Sequence, residues 1–215
     1  MEIKIYYCFE LLALLTAFIK IKQLSASRYR YFPLFLLFIV AYETASFYKV
    51  FSVNHSNLWA VNIVELIEFM FYSFSIYTNL GTARYKRPIL IAIVGSIIYS
   101  VLSLLLIHGF WKLNISGILL QTLVIIVACG VYFRQLISLP SAQAFNLLKQ
   151  PGFWLNTGVL FFYLGEFLFF ASFSYLAYKN SFAYLQFWMV VSSIANVLLY
   201  GCLIACFLYV KPSTR

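Results

Sequence analysis

The sequence predicts an all-α polytopic membrane protein: a bundle of seven transmembrane helices, N-terminus outside and C-terminus cytoplasmic. Composition is the first reason. Of 215 residues, 64% are hydrophobic and only 10% are charged, and the mean hydropathy is +0.91. Soluble domains average roughly 45–50% apolar and about 25% charged residues, so a soluble globule of this length would lack the charge to cover its surface. The second reason is segment length, because a helical span needs about 20 mostly apolar residues. The third is an uneven placement of Lys and Arg.

Seven stretches meet the length requirement: Ile3–Ile21, Phe32–Phe51, Leu58–Leu80, Pro88–Phe110, Ser116–Ile137, Phe153–Ala177 and Leu185–Val210. Together they make one seven-helix transmembrane domain over 1–215. The first stretch reads as an anchor and not a cleaved leader, because Glu10 interrupts its apolar core and Lys20 and Lys22 follow it. Pro33 and Pro88 are expected at the starts of the second and fourth helices, where a missing N–H costs little. Trp59, Trp111 and Trp188 mark outer ends and Trp154 an inner end, as interfacial belts do. Between Pro140 and Pro151, residues Ser141–Lys149 suit a short interfacial helix capped by Ser141, with Phe145 and Leu148 on lipid or on the bundle.

One side of this map carries Lys20, Lys22, Arg28, Arg30, Arg84, Lys86, Arg87, Arg134, Lys149, Lys211 and Arg215. The other carries only Lys4, Lys49, Lys112 and Lys179. The positive-inside rule therefore sets the orientation, and the plasma membrane, a bacterial inner membrane, is the expected location. The net charge of +9 would suggest nucleic acid in a soluble protein; here it is loop charge facing a bilayer, and no nucleic-acid partner is implied. Cys8, Cys129, Cys202 and Cys206 all fall inside spans, so no outer disulfide framework is indicated. Asn54-His55-Ser56 and Asn114-Ile115-Ser116 match the glycosylation pattern on the outer side.

All six acids are Glu, and only Glu2 is terminal; Glu10, Glu43, Glu65, Glu68 and Glu166 lie within spans. A charge at mid-bilayer costs roughly 2.5–3.5 kcal/mol even on lenient scales, so such residues face the bundle interior and mark function. By topology all five fall in the outer half or at the midplane. Helical spacing puts Asn62, Glu65, Glu68 and Tyr72 on one face of the third helix. A second stripe joins Asn156, Tyr163, Glu166, Phe170 and Ser174, and a third Ser192, Asn196 and Tyr200. Glu43 neighbours Ser46, and Gln121 sits about one turn down the fifth helix. These stripes predict one shared polar cavity opening outward. No Lys or Arg is expected at matching depth, and five buried carboxylates without cationic partners cannot all be ionised. A cationic small molecule, an ion or shared protons would complete the site; whether a metal binds there is open.

Three function classes follow. A sensor or receptor would bind a small polar or cationic ligand from outside and signal to a separate cytoplasmic or membrane partner. A secondary or proton-coupled transporter is the alternative, although carriers often use helices broken at midplane and the prolines here avoid that zone. A structural subunit of a membrane complex is a third reading, and oligomers are compatible with all three. Enzymes are disfavoured, because there is no Asp and both His residues lie near the surface. No cofactor is evident.

The seven-helix topology is similar to that of rhodopsins and other seven-helix receptors. Its seventh helix has no Lys, which excludes a retinal Schiff base, and Asn196-Val197-Leu198-Leu199-Tyr200 lacks the proline of the receptor signature there. Pro151-Gly152-Phe153-Trp154 and Tyr163-Leu164-Gly165-Glu166-Phe167 resemble segments of bacterial seven-helix membrane proteins, some associated with signalling genes. That resemblance covers mainly the second, third and sixth helices and implies sensing, without assigning residue roles.

Overall fold

The computed structural model describes residues 5–54, 56–138, 147–179 and 181–211, with backbone alone at 108, 173–179 and 181–185. The expected helix Ser141–Lys149 falls mostly outside these residues, as do Lys4, His55 and the side chain of Ser174; only its end, a 3-10 turn at Leu147–Lys149, is described. Seven long helices account for the fold: α1 (Ile5–Ile19), α2 (Phe32–Phe47), α3 (Leu58–Asn79), α4 (Ala83–Leu102), α5 (Ile115–Ile137), α6 (Pro151–Lys179) and α7 (Ser181–Tyr209). Among the described residues there is no strand beyond an isolated bridge between Val53 and Ser56. Stretches in α3, α4, α5, α6 and α7 are long and apolar enough to cross a membrane. Large apolar side chains such as Leu15, Leu34, Ile91, Leu106, Val127, Leu168 and Val190 are exposed along the helices. Such a surface suits lipid contact and would aggregate in water. The chain is an integral membrane protein.

Helix α2, with 16 residues, is shorter than the apolar stretch that contains it, with roughly 24 Å of rise. Helix α1 breaks at Lys20, and a five-residue helix, Ile21–Ser25, continues it. Helix α2 stops at Phe47 because Lys49 takes φ +57° and Val50 N–H reaches back to Ala45 O at 3.0 Å. That is a Schellman-type stop at a non-glycine residue. The opposite deviation occurs at Pro88, expected to open the fourth helix: α4 begins at Ala83 and carries Pro88 inside it. The ring forfeits only the bond to Arg84 O, a first-turn carbonyl at the polar end, where the loss is cheaper than in a helix interior. The last turn of the expected fourth span is a π-helix, Ser103–His108, ended by Gly109 at φ +71°. Pro151 starts α6, where proline is suited.

The packing runs α1–α7–α6–α5–α4, with α2 on α1 and α3 against α4, α5 and α6. Small residues make the closest approaches. Glu10, Ala13 and Ala17 form the buried face of α1. At Gly158 of α6 an added Cβ would lie 2.7 Å from Cys202 Cβ and 3.2 Å from Leu199 O of α7. Cys202 and Cys206 are thus buried, unpaired packing residues. An aromatic layer ties α2, α3 and α7 together: Phe35 stacks on Phe71 at 3.7 Å, and Phe32 meets Phe71 edge-on at 4.8 Å and Phe207 at 5.6 Å.

The turn between α4 and α5 is held by two asparagines. Asn62 donates to the carbonyls of Phe110 (3.3 Å) and Lys112 (2.9 Å) and accepts from Asn114 N–H (3.0 Å). Asn114 caps α5, accepting from Gly117 N–H at 3.2 Å, and donates to Ser100 O at 3.0 Å. Only 4% of Asn114 is exposed, so this glycosylation match is a buried cap and not an accessible acceptor.

Gly158→Ala is expected to lower stability by about 1–3 kcal/mol through overpacking. Gly130→Ala, which meets no neighbour, is expected to hold or raise it by the helix-propensity gain of about 1 kcal/mol. Thermal unfolding of the two purified variants in one detergent checks the contrast.

Candidate functional site

Spacing of three to four residues on each of several helices aims polar side chains at one point. Helix α3 supplies Glu65, Glu68 and Tyr72, α6 supplies Glu166, and α7 supplies Trp188, Ser192, Asn196 and Tyr200. Helix α2 adds Tyr42, Glu43 and Ser46, and α1 adds Tyr6. They line a cavity of about 300 Å³. That is at the small end of ligand pockets and enough for a molecule of several heavy atoms. The wall alternates carboxylates with aromatic faces, Phe162, Phe169 and Phe170 completing it.

The carboxylates form one electrostatic group. Glu68 lies within the field of Glu65, Glu43 and Glu10, and Glu166 within that of Glu65 and Glu68. Glu65, Glu68 and Glu166 make no ion pair or hydrogen bond among the described residues, and Glu166 Oε2 is buried without a partner. Described lining residues include no Lys or Arg. Lys49 lines an adjoining recess of about 350 Å³ that shares Ser46 and Asn57 with the cavity, which sets a cation at the mouth and none inside. Beneath the carboxylates, Tyr72 meets Tyr163 edge-on at 6.1 Å and Phe35 at 5.4 Å, so the cavity floor rests on the aromatic layer.

Of the residues that the sequence singled out, Glu43, Glu65, Glu68, Glu166, Tyr72 and Asn196 are brought together on this wall. Asn196 spends its amide donor on Ser192 O at 2.9 Å. The other four stand elsewhere. Glu10 is one layer back, 0% exposed, with both oxygens unpartnered and Glu43 as its charged neighbour. Tyr163 is buried under Tyr72. Asn62 serves the α4–α5 turn, and Gln121 is buried in α5 with its Nε2 unpartnered. Of the aromatic wall, sequence spacing found Tyr72, Phe170 and Tyr200 and missed Tyr6, Tyr42 and Trp188. Trp188 reads as an interfacial anchor, yet it extends the Ser192–Asn196–Tyr200 stripe by one further turn. Tyr6 and Tyr42 carry no spacing signal, since one in five residues is aromatic.

Chemically, a cluster of one charge sign lined with π-faces attracts a cation twice over, through Coulomb attraction and through the ring quadrupoles. Among the described residues no three His, Cys, Asp or Glu side chains converge as a metal-ligating group; the carboxylates spread around a cavity instead of closing on a point. Glu10 differs from them, because it is fully buried and does not line this cavity. Glu10→Met removes a buried unsatisfied carboxyl at nearly constant volume, and a gain of about 1–3 kcal/mol in stability is expected. A fall in melting temperature on this substitution would assign Glu10 an unseen partner. No family model, curated protein or solved structure matches the chain.

Proposed function

We propose that the chain is a seven-span sensor of the plasma membrane, N-terminus outside and C-terminus inside, that takes a small organic cation into its glutamate-lined cavity and signals to a separate partner. The supporting observation is the cavity itself: four carboxylates from α2, α3 and α6, aromatic faces between them, and no cation among the described lining residues. A ligand bearing an ammonium group supplies the missing charge and fits the distributed carboxylates better than a metal ion would. The packed aromatic floor below it speaks for occupancy and response over passage. In this reading α1 and α2 also cross the bilayer, whose core of about 30 Å exceeds the helical length of α2. Local thinning makes up the difference.

Binding is tested on the full chain in nanodiscs with choline and putrescine as probes, using intrinsic tryptophan fluorescence, to which Trp188 contributes from the cavity wall. At least one probe is expected to saturate, and Glu65→Gln with Glu68→Gln is expected to weaken it by about tenfold or more, a loss of at least roughly 1.4 kcal/mol. Failure of both probes to bind would sink the sensor reading. Uptake of either probe into proteoliposomes, abolished by the same substitutions, would replace it with the carrier reading.

Orientation has its own test. On a Cys8→Ser background, Lys49→Cys is expected to react with a membrane-impermeant maleimide in intact cells, and Arg84→Cys only after permeabilisation. The reverse pattern would invert the topology.

A further inference from the structure

The basic end of the bundle, opposite the carboxylates, holds a larger cavity of about 690 Å³. It lies where Arg28 and Tyr29, Asn79 and Gly81, the last turns of α5 and the end of α7 meet the start of α6. Arg28, Lys149 and Lys211 contribute its charge, and no Asp or Glu is among its described lining residues. The site is the electrostatic inverse of the first one.

Its wall is built from mutually bonded polar groups. Arg28 is positioned by bonds to Thr78 O (3.3 Å) and Asn79 Oδ1 (3.1 Å), and Tyr29 OH donates to the same Asn79 oxygen at 3.2 Å. Burial pushes the Tyr29 phenol above its ordinary value despite Arg28 beside it, so its hydroxyl stays a donor. Gln135 accepts from Gly81 N–H at 3.0 Å with its oxygen, leaving Nε2 buried and without a partner. The first turn of α6 also opens here. A Cβ on Gly152 would fall 2.8 Å from Tyr132 OH and 3.1 Å from Asn79 Oδ1, so the bare glycine brings this backbone close to the polar cluster. The positive end of a 29-residue helix thereby adds to the field of the three cations.

We propose that this cavity binds the phosphate group of an anionic ligand, either a phospholipid headgroup or a phosphate ester free in solution. Converging cationic side chains and a helix N-terminus are recognition elements that a phosphate uses. The volume exceeds that of a bare phosphate and leaves room for the group attached to it. Most of the basic residues then keep their part in orientation, while these three converge on a ligand.

The full-length chain is tested in two arms. In detergent, equilibrium dialysis measures binding of radiolabelled inorganic phosphate. In nanodiscs of phosphatidylcholine with phosphatidylglycerol, mass spectrometry measures which lipid is retained after extraction. Saturable binding of inorganic phosphate identifies a soluble ester as the ligand class. Selective retention of phosphatidylglycerol without phosphate binding identifies a lipid. In whichever arm is positive, Lys149→Gln with Lys211→Gln is expected to weaken binding about tenfold or more; both side chains are exposed, so folding is spared. Arg84→Gln with Lys86→Gln, an equal charge change on basic residues that do not line the cavity, is expected to leave binding unchanged. Absence of saturation in both arms, or equal weakening by the control pair, would overturn the proposal.

Discussion

A carboxylate withdrawn from water must find a counter-charge, a proton or a set of hydrogen-bond donors, and this molecule withdraws five. That constraint organises the carboxylate end of the bundle. Glu43, Glu65, Glu68 and Glu166 are not buried in separate helix contacts; they share one cavity, where an entering ligand or solvent can meet their charge. Only Glu10 is sealed away, on the packed face of α1 between small residues. The cost of its burial is met elsewhere in the fold, because no described residue bonds either oxygen.

The basic end follows the complementary logic. Its cations remain near water, where they are cheap, and Arg28, which lines the cavity, is held by two neutral acceptors, Thr78 O and Asn79 Oδ1. Between the two polar ends lies a dry layer in which Phe32, Phe35, Phe71 and Phe207 interlock, with Leu155 and Leu203 fully buried. Such a layer keeps opposite charges apart in a low-dielectric interior. It also couples helices mechanically: α2, α3 and α7 touch through the same rings, so a shift of α3 at the carboxylates is felt at Phe71 and then at its neighbours on α2. Close α6–α7 packing at Gly158 and Gly165 provides a rigid surface for such a shift.

Much of this was legible before any coordinates. Apolar length places the helices, because desolvating a backbone without internal hydrogen bonds is prohibitive in lipid. Spacing on α3 correctly groups Glu65, Glu68 and Tyr72, since a rigid helix carries its own periodicity. Ends were less legible. Lys49 stops α2 through a left-handed turn that no residue preference announces, and Pro88 is tolerated inside α4 because its lost bond lies in the first turn. Asn62 belongs by spacing to the same face as Glu65, but the turn at Phe110–Asn114 offers it three backbone partners. Trp188 reads as an interfacial anchor, and one-dimensional depth cannot add that it also lines the cavity.

Membrane class, helix number and the asymmetry of charge along the chain are properties of composition and period, and the sequence carries them without help from tertiary contacts. Which glutamates share a cavity depends on how α2, α3, α6 and α7 rotate about their axes. Those rotations are decided by side-chain packing between residues far apart in the chain, such as Phe35 on Phe71 and Gly158 against Cys202. The same holds for Arg28, Lys149 and Lys211, which are spread over most of the sequence and become one site only when the helix ends meet. Local rules act within a few residues; convergence of charge across helices is settled by the tightest packing that the whole bundle can reach.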